Sequence, residues 1–295
     1  MKVGTLFSGL GAPELAIEKL GIKYSIEFAC DNDKSVKETY LANHKCKIFY
    51  DDITKIKKVP KVDLLIFGFP CQPFSLAGNG NGLEDERGKL VFKAINLIKN
   101  NKPKAFIAEN VEGIVRRDNG SVLKYLLNRF QKIGYKVKYS VLNSLDFGVP
   151  QNRKRVWIVG LLKGDYNFPD TKSLFYPSLL SLLDKKVDRK FYATKDFLLK
   201  LKVAARISNY DKPYINCITQ TIARNGSSSE YISYVSAVNK AIGQKRKPTP
   251  KECCRLFGFP ESFTFPDDIC ITKRYSMIAN SMVVPQIKEI IERIL

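Results

Sequence analysis

The chain has 295 residues, 44% of them hydrophobic, with 49 basic against 29 acidic side chains and a net charge of +20. That length suits one large domain with a smaller one attached; no stretch nears the ~20 uninterrupted apolar residues of a membrane span, and the N-terminus lacks the order of a signal peptide. Seven cysteines without a CxxC or a His-paired spacing argue against zinc, any other metal centre and a disulfide framework, and favour a reducing cytoplasm.

The periodicity predicts a strand at Val3–Phe7 and a helix at Pro13–Leu20, with proline in its first turn and Gly21 as its stop. Tyr24–Cys30 reads as a strand, Lys34–Asn43 as a helix and Val62–Phe67 as a strand. Lys89–Lys99 reads as a helix with Leu90, Ala94, Leu97 and Ile98 on one face. Lys104–Ala108 reads as a strand, Ser121–Ile133 as a helix, and Lys136–Leu142 and Val156–Leu161 as strands. Strands spaced by such helices predict an α/β fold with a doubly wound, mostly parallel sheet. After Leu162 the periodicity fades; Asn216–Ala223 and Glu230–Val235 read as short strands of a smaller, irregular, β-rich domain. Thr249 is placed to cap a helix over Pro250–Leu256, and Pro285–Leu295 reads as a final amphipathic helix.

The charge excess points to a nucleic acid as partner, although a Lys-, Ile- and Asn-rich composition also follows from an AT-rich genome. Two loops carry chemistry. Leu6–Glu14 joins the first strand to the first helix, and its Gly9 and Gly11 allow a tight turn and close approach to a ligand. A GxGxxG pattern would need a third glycine where Glu14 stands, and that carboxylate would repel a pyrophosphate. Asp31, just past the second strand, is placed for ribose hydroxyls, and Asp52 for an adenine amine. Adenosine without phosphates fits these acids better than a dinucleotide; a plain strand-to-helix turn with solvated acids is the alternative.

The second loop is Gly68-Phe69-Pro70-Cys71-Gln72-Pro73, which puts Cys71 on a stiff turn at the carboxyl end of a buried strand. Prolines on both sides fix φ, as suits a nucleophile that must meet a reacting carbon accurately. An unshifted thiol is only about 3% ionised at pH 7, so it needs help. A cysteine protease would have only His44, the single histidine, as its base. Glu109 follows a strand, and Arg153 and Arg155 lead into another, where alternation points both the same way. A thiol, a carboxyl and an arginine pair can then face one pocket; a helix-entering acid and a solvated basic turn are the bland alternatives.

Five stretches in this order, LFSGLGAPE (Leu6–Glu14), GFPCQPFSLAG (Gly68–Gly78), ENVEG (Glu109–Gly113), QNRKRVWIVG (Gln151–Gly160) and ANSMV (Ala279–Val283), resemble the motifs of the C5-cytosine DNA methyltransferases. The resemblance covers the chain outside about 163–246. It implies a Rossmann-like catalytic domain at 1–162 and 247–295 and a target-recognition domain at 163–246. It further implies that Cys71 adds to C6 of a flipped-out cytosine, that Glu109 binds N3 and the exocyclic amine, and that Arg153 and Arg155 hold the base and backbone. A carboxyl sharing a pocket with a thiolate should be raised in pKa, as an acid requires. S-adenosylmethionine is the implied cofactor, held by Phe7, Gly9, Leu10, Gly11, Asp31, Asp52, Ile53, Leu90 and Asn280. Asn32 replaces the family's usual aromatic beside the ribose acid, which shifts adenine packing to Ile53 and Phe7. Ala279 replaces a usual glycine, a mild departure if its φ is negative.

Gln72–Gly88 resembles the mobile loop that closes over the base, with Gln72, Ser75 and Arg87 as DNA contacts. Thr221 lies in a threonine-bearing stretch that resembles the DNA-facing segment; Arg224 and Asn225 suit base edges or phosphates alike. The implied function is methylation of C5 of cytosine in duplex DNA by a cytoplasmic monomer, beside a cognate restriction endonuclease. A tRNA cytosine methyltransferase and a catalytically dead DNA-binding protein are the alternatives.

Overall fold

The computed structural model describes residues 1–70, 86–170, 177–194, 214–223 and 229–295. The chain forms two compact units. The first comprises Met1–Leu142, Lys154–Asp170 and Gln286–Leu295, the second Asn143–Arg153 and Thr171–Pro285.

In the first unit β1 (Lys2–Leu6), α1 (Ala12–Glu18), β2 (Ser25–Cys30), α2 (Lys34–Asn43) and β3 (Ile48–Tyr50) alternate strand and helix. They are followed by β4 (Leu64–Gly68), α3 (Glu86–Asn101), β5 (Ala105–Val111), the short α4 (Gly113–Arg116) and α5 (Ser121–Lys132). β6 (Lys136–Asn143) is separated by β7 (Gln151–Asn152) from β8 (Lys154–Leu161). The seven-stranded sheet has the order β3-β2-β1-β4-β5-β8-β6. The β1–β2, β1–β4, β2–β3 and β4–β5 pairs are parallel, and β8 runs antiparallel to β5. The doubly wound, mostly parallel reading is therefore right.

Strand alternation divides the core. Leu6, Phe28, Leu65, Phe67, Phe106 and Ile158 face the buried side of α3 and α5, including Val91, Ile95, Leu126 and Phe130. The intervening Thr5 faces the other way and donates to Glu14 of α1 at 2.9 Å. Strand order reverses between β1 and β4, where open α/β sheets bind ligands beyond the strands' carboxyl ends. β3 has only three residues, too few for the alternation that would reveal it from sequence.

The second unit contains α6 (Leu179–Leu182), β9 (Ile215–Asn216), α7 (Ser229–Ile242), α8 (Pro250–Arg255) and α9 (Ile271–Ala279). The chain then enters α10 (Val284–Glu292). Among the described residues of 163–246 the expected β character is reduced to the two-residue β9, paired with β7; Gln220–Ala223 is a 3-10 turn and Glu230–Val235 lies in α7. Its β-branched residues misled: Val235, Val238 and Ile242 recur at helical spacing, and Val235 and Val238 are buried. The expected Thr249 cap is present as a reciprocal box, with Thr249 Oγ1 accepting from the Glu252 amide and Glu252 Oε2 from the Thr249 amide. The compact units divide the chain differently from the domain boundaries expected at 162 and 247. Residues 143–153 and 247–285 cluster with the second unit, because Leu256, Phe257 and Tyr275 are fully buried in its core.

Candidate functional site

Four strands of the first unit deliver their carboxyl ends side by side. Leu6 on β1 lies opposite Phe67 on β4, and Gly68 lies opposite Glu109 on β5. The turns leaving β1 and β4 thus start from neighbouring positions.

The turn after β1 is built by backbone geometry. Phe7, Gly9 and Gly11 all have positive φ, at 52°, 55° and 76°. For Phe7 this is an uncommon, strained conformation of the kind that concentrates at ligand clamps. Ser8 ties the turn to β2, its amide donating to the Cys30 carbonyl at 2.9 Å and its Oγ accepting from the Cys30 amide at 2.9 Å. Asp31 Oδ2 accepts from the Gly9 amide at 3.0 Å and Oδ1 from the Asp33 amide at 3.2 Å. Gly11 is tightly confined: a Cβ there would lie 2.2 Å from His44 Nε2, which itself meets the Leu10 carbonyl at 3.0 Å. The sole histidine therefore braces this turn. Glu14 is buried and accepts from Thr5 and Tyr40.

Asp52 caps a 3-10 turn at Ile53–Lys55, and its Oδ1 accepts from both the amide and hydroxyl of Thr54. The Thr54 hydroxyl, then its amide, holds the Asp52 carboxyl below the usual range. Ile53 is buried in the apolar cluster against which Phe7, Leu90 and Tyr50 pack. Tyr50 escaped the sequence reading. It ends β3, its carbonyl accepts from the Asp31 amide at 3.1 Å, and its ring meets Phe28 edge-on. It supplies an aromatic ring near Asp31 although Asn32 does not.

The second turn leaves β4 through Phe69 and Pro70 towards Cys71, which lies outside the described residues, as do Gln72 and Ser75. Its stem is held by Asn110, whose Nδ2 donates to the Phe69 carbonyl at 3.1 Å. Asn110 also escaped notice as a site residue, although it is the middle of the ENV stretch. Glu109 does not follow its strand but lies within β5. Because β8 is antiparallel, its Arg155 end comes to the same edge, opposite Val111. Arg155 Nε lies 3.2 Å from Glu109 Oε1, with both side chains largely buried. A carboxylate held by a guanidinium, beside the root of a cysteine turn, can present an oxygen to a polarised ring nitrogen.

A family model for C-5 cytosine-specific DNA methylases matches residues 1–295. The chain belongs to the C-5 cytosine-specific DNA methylase family. It is 36% identical over 317 residues to the Type II methyltransferase M.Bsp6I of Bacillus sp. (strain RFL6), covering 100% of this chain and 98% of that one. It is 36% identical over 294 residues to M.HaeII of Haemophilus aegyptius, covering 97% and 90%. The solved structure of DNMT2 from Spodoptera frugiperda shares the fold, with a TM-score of 0.77 and 21% identity over 99% and 98% of the two chains. The protein is thus a DNA (cytosine-5)-methyltransferase with Type II restriction-modification relatives.

In this methylase Arg153 and Arg155 do not act as the expected pair. Arg153 belongs to the second unit and is 2% exposed. Its guanidinium donates to the carbonyls of Ile218 at 3.2 Å, Ala279 at 2.9 Å and Ser281 at 2.9 Å, and stacks on Phe257. Gln151 works alongside, donating to the Leu256 carbonyl and accepting from the Ile218 amide. Two residues of the QxRxR stretch therefore scaffold the second unit, and only Arg155 reaches Glu109. The departure at Ala279 is harmless, since it lies in α9 and is not among the positive-φ residues.

Asn280 also lies in the second unit, where its Oδ1 accepts from Gln220 Nε2 at 3.0 Å. Thr221 lies on the 3-10 turn Gln220–Ala223, and its hydroxyl bonds to that of Thr219 at 2.6 Å. Arg87 falls on the first turn of α3, and Arg224 and Asn225 lie outside the described residues. Burial pushes the Cys30 and Cys254 thiols up to about 12 and Cys253 well above its ordinary value, which rules these three out as neutral-pH nucleophiles. Among the described residues no cluster of metal-ligating side chains occurs, and no helix is long and apolar enough to cross a membrane.

Proposed function

We propose that Cys71, Glu109 and Arg155 carry the reaction and that S-adenosylmethionine is the methyl donor. The observation that carries the assignment is the Arg155–Glu109 pair at the strand edge, beside Gly68. From Gly68 the chain needs only Phe69 and Pro70 to reach Cys71.

A cytosine within a stacked duplex is out of reach of these groups, so the base must swing out. Glu109 hydrogen-bonds the ring at N3 and the exocyclic amine, drawing electrons from C6. The Cys71 thiolate then bonds to C6, and the electron pair moves towards C5 and N3. S-adenosylmethionine, when bound, would supply an electrophilic sulfonium methyl that becomes bonded to C5 as its bond to sulfur breaks, leaving a neutral thioether. Loss of the C5 proton and departure of the thiolate from C6 restore the aromatic ring and Cys71. Arg155 keeps the Glu109 carboxylate aimed through these steps.

The turn after β1 suits that cofactor. A Cβ on Gly9 would meet nothing nearer than the Phe7 carbonyl at 3.9 Å, so bare backbone is open to a ligand. The neighbouring side-chain groups are carboxylates, which accept hydrogen bonds, rather than cations, and this fits an adenosine carrying no phosphate. Phe7, Leu10, Gly11, Asp31, Asp52, Ile53, Leu90 and Asn280 are assigned to it. Gly11→Ala is expected to weaken S-adenosylmethionine binding by at least about tenfold, since it adds a Cβ at left-handed φ against His44. Calorimetric titration of the folded variant checks this; unchanged affinity would refute the assignment.

Residues 163–246 are assigned to target recognition, with Thr221, Arg224 and Asn225, together with Gln72, Ser75 and Arg87, as DNA contacts. The Type II names of the relatives support a cognate endonuclease as functional partner in a bacterial or phage-infected cytoplasm. The protein is taken to act as a monomer. Tritiated methyl transfer to unmethylated duplex DNA, followed by bisulfite sequencing, should mark one recurring cytosine context. No transfer to DNA, with transfer to tRNA instead, would overturn the reading.

A further inference from the structure

The two helical layers of the first unit differ sharply in charge. α3 carries four basic residues and one acid, and α5 carries three and none. On the other side, α1, α2 and α10 together carry three basic residues against five acids. Their lysines come paired, Lys34 with Glu38, Lys37 with Asp51 and Lys288 with Glu292. By contrast Lys93, Lys99, Lys124, Arg129 and Lys132 are exposed, and none has a carboxylate partner among the described residues. A genome-wide drift to lysine would load both layers alike, so the asymmetry belongs to the surface itself.

α3 and α5 lie side by side: the Phe92 ring meets Tyr125 edge-on, with centroids 6.1 Å apart, and the Arg129 guanidinium lies over Phe92. Lys102 on the chain leaving α3 donates to the Ile133 carbonyl just past α5. The exposed cations therefore lie on two adjacent helices of the same layer. Lys124 and Lys132 are eight residues apart on α5, about 12 Å along its axis.

From this asymmetry we infer that the outer face of α3 and α5 is a sequence-independent contact for duplex DNA, separate from the residues that handle the target base. It holds the phosphate backbone of non-target DNA, keeping the enzyme on the polymer between targets. The inference rests on DNA being the substrate, and its occupant follows from charge complementarity: exposed cations without a carboxylate partner among the described residues, with no acid on α5 to repel the strand.

The test compares two double variants that remove the same charge. Lys124→Gln/Lys132→Gln removes two cations from the proposed face, and Lys34→Gln/Lys288→Gln removes paired lysines from the other layer. Binding of each to a non-target duplex is followed by anisotropy across a range of salt. The first should lower the slope of log affinity against log salt by about two, since each phosphate contact contributes about 0.9. The second should leave it near that of the unaltered protein. Equal slopes in all three, or equal falls in both variants, would overturn the inference and leave an acidic protein as the candidate for this face. Methylation of a short target duplex, unchanged in both variants, separates this outcome from any failure of the catalytic assignment.

Discussion

Cys71→Ala is expected to abolish methyl transfer, and Glu109→Gln to slow it by about 10²–10⁴-fold, the range of general acid–base contributions. The two losses should differ in kind. Without the thiol there is no nucleophile, so no bond to C6 forms at all. With glutamine at 109 the amide still offers a hydrogen bond but cannot exchange a proton with N3, and Arg155 loses the carboxylate 3.2 Å away. A duplex with 5-fluorocytosine at the target distinguishes them. Fluorine at C5 cannot leave as a proton does, so the unaltered enzyme should stay covalently attached through denaturing electrophoresis. Cys71→Ala should give no such adduct, and Glu109→Gln should give it slowly. Full methylation by either variant would remove that residue from the mechanism.

The largest stability loss is expected from Arg246→Ala, about 3–5 kcal/mol, the usual cost of breaking one side of a buried ion pair. Arg246 and Glu252 are both 0% exposed and joined by two bonds, of 2.7 and 2.8 Å. Every guanidinium N–H is used: the remainder go to Gln244 Oε1 and to the carbonyls of Lys247 and Asp184. Glu252 in turn accepts from the amides of Asp184 and Thr249. Removing the arginine strands a carboxylate that also caps α8 and holds the Asp184 segment. Thermal denaturation should show the midpoint lowered by about 10 °C. Arg246→Ala combined with Glu252→Ala should cost less than the sum of the single changes, because the second removal finds a charge already unpaired. A shift under about 2 °C for the single variant would show the pair to be dispensable.

The local signals in the sequence were read correctly where one stretch of chain carries its own geometry. The β1 turn announces itself by Gly9 and Gly11, the α8 cap by Thr249 and Glu252, and the parallel sheet by apolar strands spaced with helices. The family resemblance rested on such contiguous stretches, and the family model matches the whole chain. Short or ambiguous stretches were less legible. Three residues of β3 show no alternation, and Glu230–Val235, part of α7, reads as a strand because its β-branched residues suit both states.

What the sequence alone determined is therefore the fold class and the family with its chemistry. Only the tertiary structure decided how neighbours in the chain divide their work. Arg153 and Arg155 have the same side chain and lie two positions apart, yet one is enclosed by the carbonyls of Ile218, Ala279 and Ser281 and the other meets Glu109. Tyr50 and Asn110 likewise gain their places from Asp31 and Phe69, far away in sequence. The reason is physical: turn and helix propensities act over a few bonds, whereas the partner of a guanidinium or an amide is whatever the folded chain brings within about 3 Å.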